Sequence, residues 1–181
     1  MTRQCRGKGE SRLMKTLVVY YSGTGNTRKM GEEIAATLEA DIEELKDDVG
    51  RSGPIGFVRS LREAESGALV HLEPLLHEPK TYDLVVVGTP VWVWTMSSPV
   101  RTFLLTKNLG TARVAWFCTL GAGSQSFKES CFQSMTNETG RTPVATLGFS
   151  MKDLKRDYSQ AIADFAETLK SAVGQVQNGV V

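Results

Sequence analysis

The chain reads as a three-layer α/β domain in which a five-stranded parallel sheet, ordered 2-1-3-4-5, carries helices on both faces. Continuous apolar, β-forming runs (TLVVYY, DLVVV, RVAWFCT) recur along it, as expected of strands buried on both faces of a parallel sheet. Helical patterns separate these runs, and strands alternating with helices form a parallel sheet through crossover connections. The first run is β-branched, aliphatic or aromatic throughout, which places it mid-sheet, and it ends in the turn Ser22-Gly23-Thr24-Gly25-Asn26-Thr27, at the carboxyl end where such sheets bind ligands.

The elements follow in order. Thr16 to Tyr21 is the first strand, and from Arg28 a helix buries Met30, Ile34 and Leu38, spaced four apart. Asp41 to Leu45 is a shorter, more polar strand nearer an edge, followed by a charged, glycine-punctuated connection from Lys46 to Gly53. Pro54 opens a helix to Glu65 with Phe57, Val58 and Leu61 on one face, while Arg51, Arg59 and Arg62 are solvated. Ser66 to Thr81 has no period and is expected to cover part of the sheet or the edge of the ligand site. Asp83 to Val87 is the third strand, opening into an exposed loop from Gly88 to Met96. Ser97 or Ser98 then caps a helix with Pro99 in its first turn and Val100, Phe103 and Leu104 buried. Arg113 to Thr119 is the fourth strand, followed by the loop Leu120 to Ser124 and a helix from Gln125 to Met135. Pro143 to Gly148 is the fifth strand, and a last helix from Lys155 to Val173 buries Tyr158, Ile162, Phe165, Leu169 and Val173.

The 181 residues suit one domain spanning 14–181. Residues 1–13 are polar and basic, a disordered segment or an upstream extension with translation starting at Met14 instead of Met1. The formal charge of +1 is misleading, because that leader holds Arg3, Arg6, Lys8 and Arg12 against Glu10. Without it 17 basic and 19 acidic residues remain, a body of about −2 with no nucleic-acid footprint. No run reaches membrane-spanning length. Cys5, Cys118 and Cys131 have no paired spacing, which indicates a reducing, cytoplasmic setting.

The turn after the first strand has the chemistry of a phosphate site. It offers hydroxyls, an amide side chain, two glycines and the N-terminus of a helix, whose free N–H groups and dipole favour an anion. It is neither of the common nucleotide loops. Arg28 stands where a Walker loop needs its second glycine and where a Gly-x-Gly-x-x-Gly fingerprint needs its third. A phospho-accepting receiver needs acidic residues just after this strand, and there are none. The segment instead resembles the phosphate loop of the flavodoxin-like family, which holds the monophosphate of FMN. The Gly88-Thr89-Pro90-Val91-Trp92 run followed by Ser-Pro-Val, and the glycine loop after the fourth strand, resemble that family too, so the likeness spans Lys15 to Val173.

That resemblance implies FMN as cofactor. Ser22, Thr24, Gly25, Asn26 and Thr27 would hold the phosphate. Thr89, Pro90, Val91, Trp92 and Trp94 would flank the ring, with Trp92, nearer the strand end, the favoured stacking partner. Thr119, Leu120, Gly121 and Gly123 would bring backbone to the pyrimidine edge. No catalytic side chain and no metal site are expected, since the flavin carries the chemistry. Cys118 lacks the arginine of a phosphatase loop, Cys131 and the methionines belong to packing, and His71 and His77 have no metal-binding arrangement. The family contains NAD(P)H-dependent reductases of quinone-like acceptors, in which a homodimer partner lends residues to the flavin edge. It also contains electron carriers that dock on redox partner proteins. Acidic carriers hold a low potential, whereas residues 22–27, 89–99 and 119–127 contain no aspartate or glutamate. An easily reduced flavin and the reductase alternative follow from that departure. An FMN-free interaction module is the third class open to the fold.

Overall fold

The computed structural model describes residues 14–48, 53–121 and 125–177. The expectations for residues 1–13, Cys5, Arg51, Gly123 and the Phe57 side chain lie outside the described residues.

Five parallel strands form the sheet: β1 (Thr16–Tyr20), β2 (Asp41–Glu44), β3 (Leu84–Trp92), β5 (Arg113–Leu120) and β6 (Thr146–Ser150). They lie in the order β2-β1-β3-β5-β6, with a two-residue strand β4 (Thr95–Met96) paired antiparallel to the end of β3. Counting only the parallel strands, this is the expected 2-1-3-4-5. The helices are α1 (Asn26–Leu38), α2 (Gly53–Ser66), α3 (Ser98–Thr106), α4 (Gln125–Thr139) and α5 (Ser159–Gln177).

Strand alternation splits the core into two layers. Leu17, Val19, Val85, Val87, Val114, Trp116 and Cys118 face α3 and α4 through Val100, Phe103, Cys131 and Met135. Val18, Tyr20, Leu84, Val86, Ala115 and Phe117 face α1 and α5 through Met30, Ile34, Ile162, Phe165 and Leu169. Contact with Cys118 and complete burial both push the Cys131 thiol up, and both cysteines are buried in the core.

Several expectations change. The last helix begins at Ser159 instead of Lys155, so Tyr158 lies ahead of it and is half-buried. Val58, read as core, is exposed. The fifth strand begins three residues later than read and runs through Gly148. Most consequentially, Gly88 to Met96 is not an open loop. The third strand continues through it to Trp92, turns over Val93 and Trp94, and returns as β4, with Trp92 opposite Thr95.

That turn is strained. Val93 (φ 47°) and Trp94 (φ 61°) both occupy the left-handed region, as a two-residue hairpin turn requires, but such turns favour Asn-Gly. A side chain bearing Cβ costs about 1–2 kcal/mol there, and a branched one is disfavoured further. Val93→Asn is therefore expected to raise stability by about 0.5–1 kcal/mol, a shift of about 2 °C in a thermal melt. An unchanged or lower midpoint would show that the turn is not under strain.

Candidate functional site

At the carboxyl end of β1 the chain turns through Ser22 to Thr27 into α1. Ser22 Oγ accepts the backbone N–H groups of Gly25 and Arg28, both at 3.1 Å. Gly25 takes φ 89°, a conformation that needs glycine. Asn26 Nδ2 donates to Thr24 Oγ1 at 3.2 Å and to Met151 Sδ at 3.3 Å. Lys29 N–H makes the first bond of the helix, to Gly25 O. The amides of Gly23, Thr24, Asn26 and Thr27 have no acceptor among the described residues. Four free donors at a helix N-terminus form a nest for an anion.

Thr27 takes a different part from its neighbours. Its side chain is only 2% exposed, and its hydroxyl lies 2.8 Å from that of Thr119, itself 5% exposed, at the end of β5. The pair joins the phosphate-type turn to the glycine loop 92 residues away. Leu120 and Gly121 follow directly and line a cavity of about 330 Å³ with Val91, Val93, Trp94, Phe127 and Leu61. No charged residue among the described residues lines it. Its volume is at the low end of the about 300–1,000 Å³ usual for small-molecule sites.

The two tryptophans separate. Trp92 packs edge-on against Tyr21, ring centroids 5.7 Å apart, and is partly buried against the core. Trp94 is 57% exposed, lines the cavity and leans on Phe127 at 5.9 Å. Thr89 is completely buried. Its hydroxyl accepts the Ser97 N–H at 2.9 Å and lies 3.2 Å from Ser97 Oγ, so it fastens the hairpin base to the start of α3. Pro90 is half-buried beside it. The irregular segment from Ala68 to Glu78 packs along the β2 edge and α3 instead of the cavity: Val70 N–H donates to Thr102 Oγ1, and the buried Glu43 carboxylate gathers the amides of Leu76 and His77 and the His77 ring. No metal-binding cluster occurs among the described residues.

A buried arginine that the sequence did not single out holds the hairpin. Arg101 on α3 is 5% exposed. It binds both oxygens of Glu138 on α4 (2.7 and 3.0 Å), the Ala64 carbonyl of α2 (3.1 Å) and Thr95 Oγ1 of β4 (3.1 Å). Ser134 bridges Thr95 and Glu138. Burial alone would raise the Glu138 carboxyl, but bonds from Arg101 and Ser134 outweigh it and hold that carboxyl below its usual value. A depressed folded-state pKa contributes stability above the unfolded value, and the contribution is lost as pH falls through the folded one. Arg101→Met is expected to cost about 2–3 kcal/mol at neutral pH and to reduce the loss of stability on acidification below about pH 4. Urea titrations at neutral and acid pH measure both, and an acid dependence identical to wild type would refute the pairing.

No family model and no curated protein sequence matches the chain. Solved structures do. A flavoprotein from Lactobacillus acidophilus NCFM, crystallised in complex with FMN, is 23% identical, with 75% of this chain and 93% of that one aligned and a TM-score of 0.61. A protein from Bacteroides uniformis is 19% identical over 85% of this chain and 98% of its own, TM-score 0.72. The chain has the flavodoxin-like fold. Oxidised flavodoxin 2 from Bacillus cereus aligns over 87% of this chain and 99% of its own at 18% identity, TM-score 0.56. In a flavodoxin-like sheet the ligand crevice lies at the carboxyl ends of β1 and β3, and the amide nest and the cavity flank that crevice here. No helix among the described residues is long and apolar enough to cross a membrane.

Proposed function

We propose that this chain binds FMN and works as an NAD(P)H-dependent reductase of small quinone-like acceptors. The carrying observation is the joint made by Thr27 and Thr119, which sets four amides without acceptors among the described residues beside a cavity walled by Trp94 and Phe127 and free of charge among its described lining. A monophosphate suits the amides, gaining roughly 1.5–3 kcal/mol per charge-assisted bond, and a planar apolar ring suits the cavity. Bound FMN would supply the electron chemistry. The protein's part is to orient the ring, exclude water from one face through Val91, Leu120 and Phe127, and set the local field. The unpaired buried cysteines fit a reducing cytoplasm.

The absence of charge among the described lining residues, and of aspartate and glutamate from 119–127, favours a reductase over a low-potential carrier. One carboxylate about 7 Å from the ring at an effective dielectric of about 20 would oppose the reduced anion by roughly 2 kcal/mol, equivalent to about 100 mV for one electron. Protein purified without added cofactor and titrated with FMN is expected to bind it with quenched flavin fluorescence. The loaded protein should then oxidise NAD(P)H steadily when a quinone is added. A protein that ignores FMN would overturn the cofactor assignment. Transfer only through an added reductase protein, with a very low midpoint for the second electron, would favour a flavodoxin-type carrier.

A further inference from the structure

We propose that Met151, in the turn after β6, is a positioning residue for the phosphate loop, so that a fourth loop belongs to the site. This rests on the FMN reading above. The Met151 N–H donates to the carbonyls of Leu120 (3.0 Å) and Gly121 (3.3 Å), which fixes the residue on the glycine loop. Its thioether accepts from Asn26 Nδ2 at 3.3 Å, and the same carboxamide nitrogen donates to Thr24 Oγ1. Met151 thus supports one end of a chain, Met151 to Asn26 to Thr24, along the exposed side of the amide nest. Its own turn is firmly held. Asp153 accepts the N–H and hydroxyl of Ser150 at 2.7 and 2.8 Å and the Lys128 ammonium at 3.3 Å, and these bonds keep its carboxyl below the usual range. Met30, Met96 and Met135 are wholly buried, whereas Met151 is 39% exposed, so packing alone does not account for its place.

The Asn26 carboxamide has two anchors, and losing the sulfur leaves it free to rotate away from Thr24. The effect falls on the phosphate end of a ligand and spares the ring. Met151→Leu keeps the bulk and removes the acceptor, while Met151→Ala removes both. Both variants are expected to weaken FMN binding about five- to tenfold and to leave binding of riboflavin, which lacks the phosphate, unchanged in a fluorescence titration. In the flavin-free protein the Asn26 side-chain amide signals of a ¹⁵N correlation spectrum should shift in Met151→Leu, and in an Asn26→Ala background Met151→Leu should produce no further loss of FMN affinity. Equal losses for FMN and riboflavin would make Met151 a wall of the ring cavity and overturn the proposal, as would wild-type affinity for both. A wild-type chain that binds neither flavin overturns the cofactor reading and this inference with it. An unmoved Asn26 signal in protein that binds FMN overturns this inference alone.

Discussion

Replacing Gly88 with alanine is expected to destabilise the protein by about 3 kcal/mol, among the larger losses a single methyl group produces. Gly88 lies within β3, paired to Tyr20 of β1 on one side and to Phe117 of β5 on the other. A Cβ there would fall 1.9 Å from Phe117 Cζ and 2.3 and 2.4 Å from Cε1 and Cε2. Phe117 is wholly buried beneath α1 and α5, and the backbone is pinned by ladders on both sides, so neither partner yields cheaply. Urea unfolding should show a lower midpoint with an unchanged slope. Trimming the ring in a Gly88→Ala, Phe117→Leu double variant should recover part of the loss through coupling between the sites. A cost under about 1 kcal/mol would contradict the packing described here.

Trp94→Ala is expected to raise the dissociation constant for FMN about 30-fold while leaving the fold almost unchanged. Stacking contributes about 0.5–1.5 kcal/mol beyond burial, and the apolar area covered adds about 1 kcal/mol. The indole is more than half exposed, so its loss removes little packing. Trp92→Ala should behave in the opposite way. It removes an indole packed against Tyr21 and the core, costing about 2–3 kcal/mol of stability, with a smaller and indirect effect on flavin affinity. Fluorescence titration and thermal melts of the two variants separate the roles. Affinity lost in Trp92→Ala and retained in Trp94→Ala would reverse the assignment.

The parts of the chain that were legible are those where one physical demand governs a whole run. β1, β3 and β5 are buried on both faces, so their apolar runs announce them, and the turn from Ser22 to Thr27 shows its donors and glycines directly. What was hidden depends on neighbours distant in sequence. Gly88 read as the start of a loop and Gly148 as a strand end, yet both lie within strands flanking β5, giving room to Phe117 on one face and to Cys118 and Lys128 on the other. The hairpin escaped notice because Val93 and Trp94 carry no turn signal and take their positive φ values against their own preference. Arg101 gathers partners from α2, β4 and α4, and nothing near it in sequence marks it as a hub. Asn26 was legible as a loop residue, but its contact with Met151 joins residues 125 positions apart.

The Ser22 oxygen shapes its loop without outside help. Because it draws in the amides of Gly25 and Arg28, bonds within the loop itself hold the form of the turn, and the ordering entropy of about 1–2 kcal/mol per residue is met when the chain folds. Under the proposed FMN reading, capture would be a docking event into a receptacle shaped by its own bonds, with no coupled folding step. Differences among phosphate esters should then show in how long each stays, while their arrival rates remain alike.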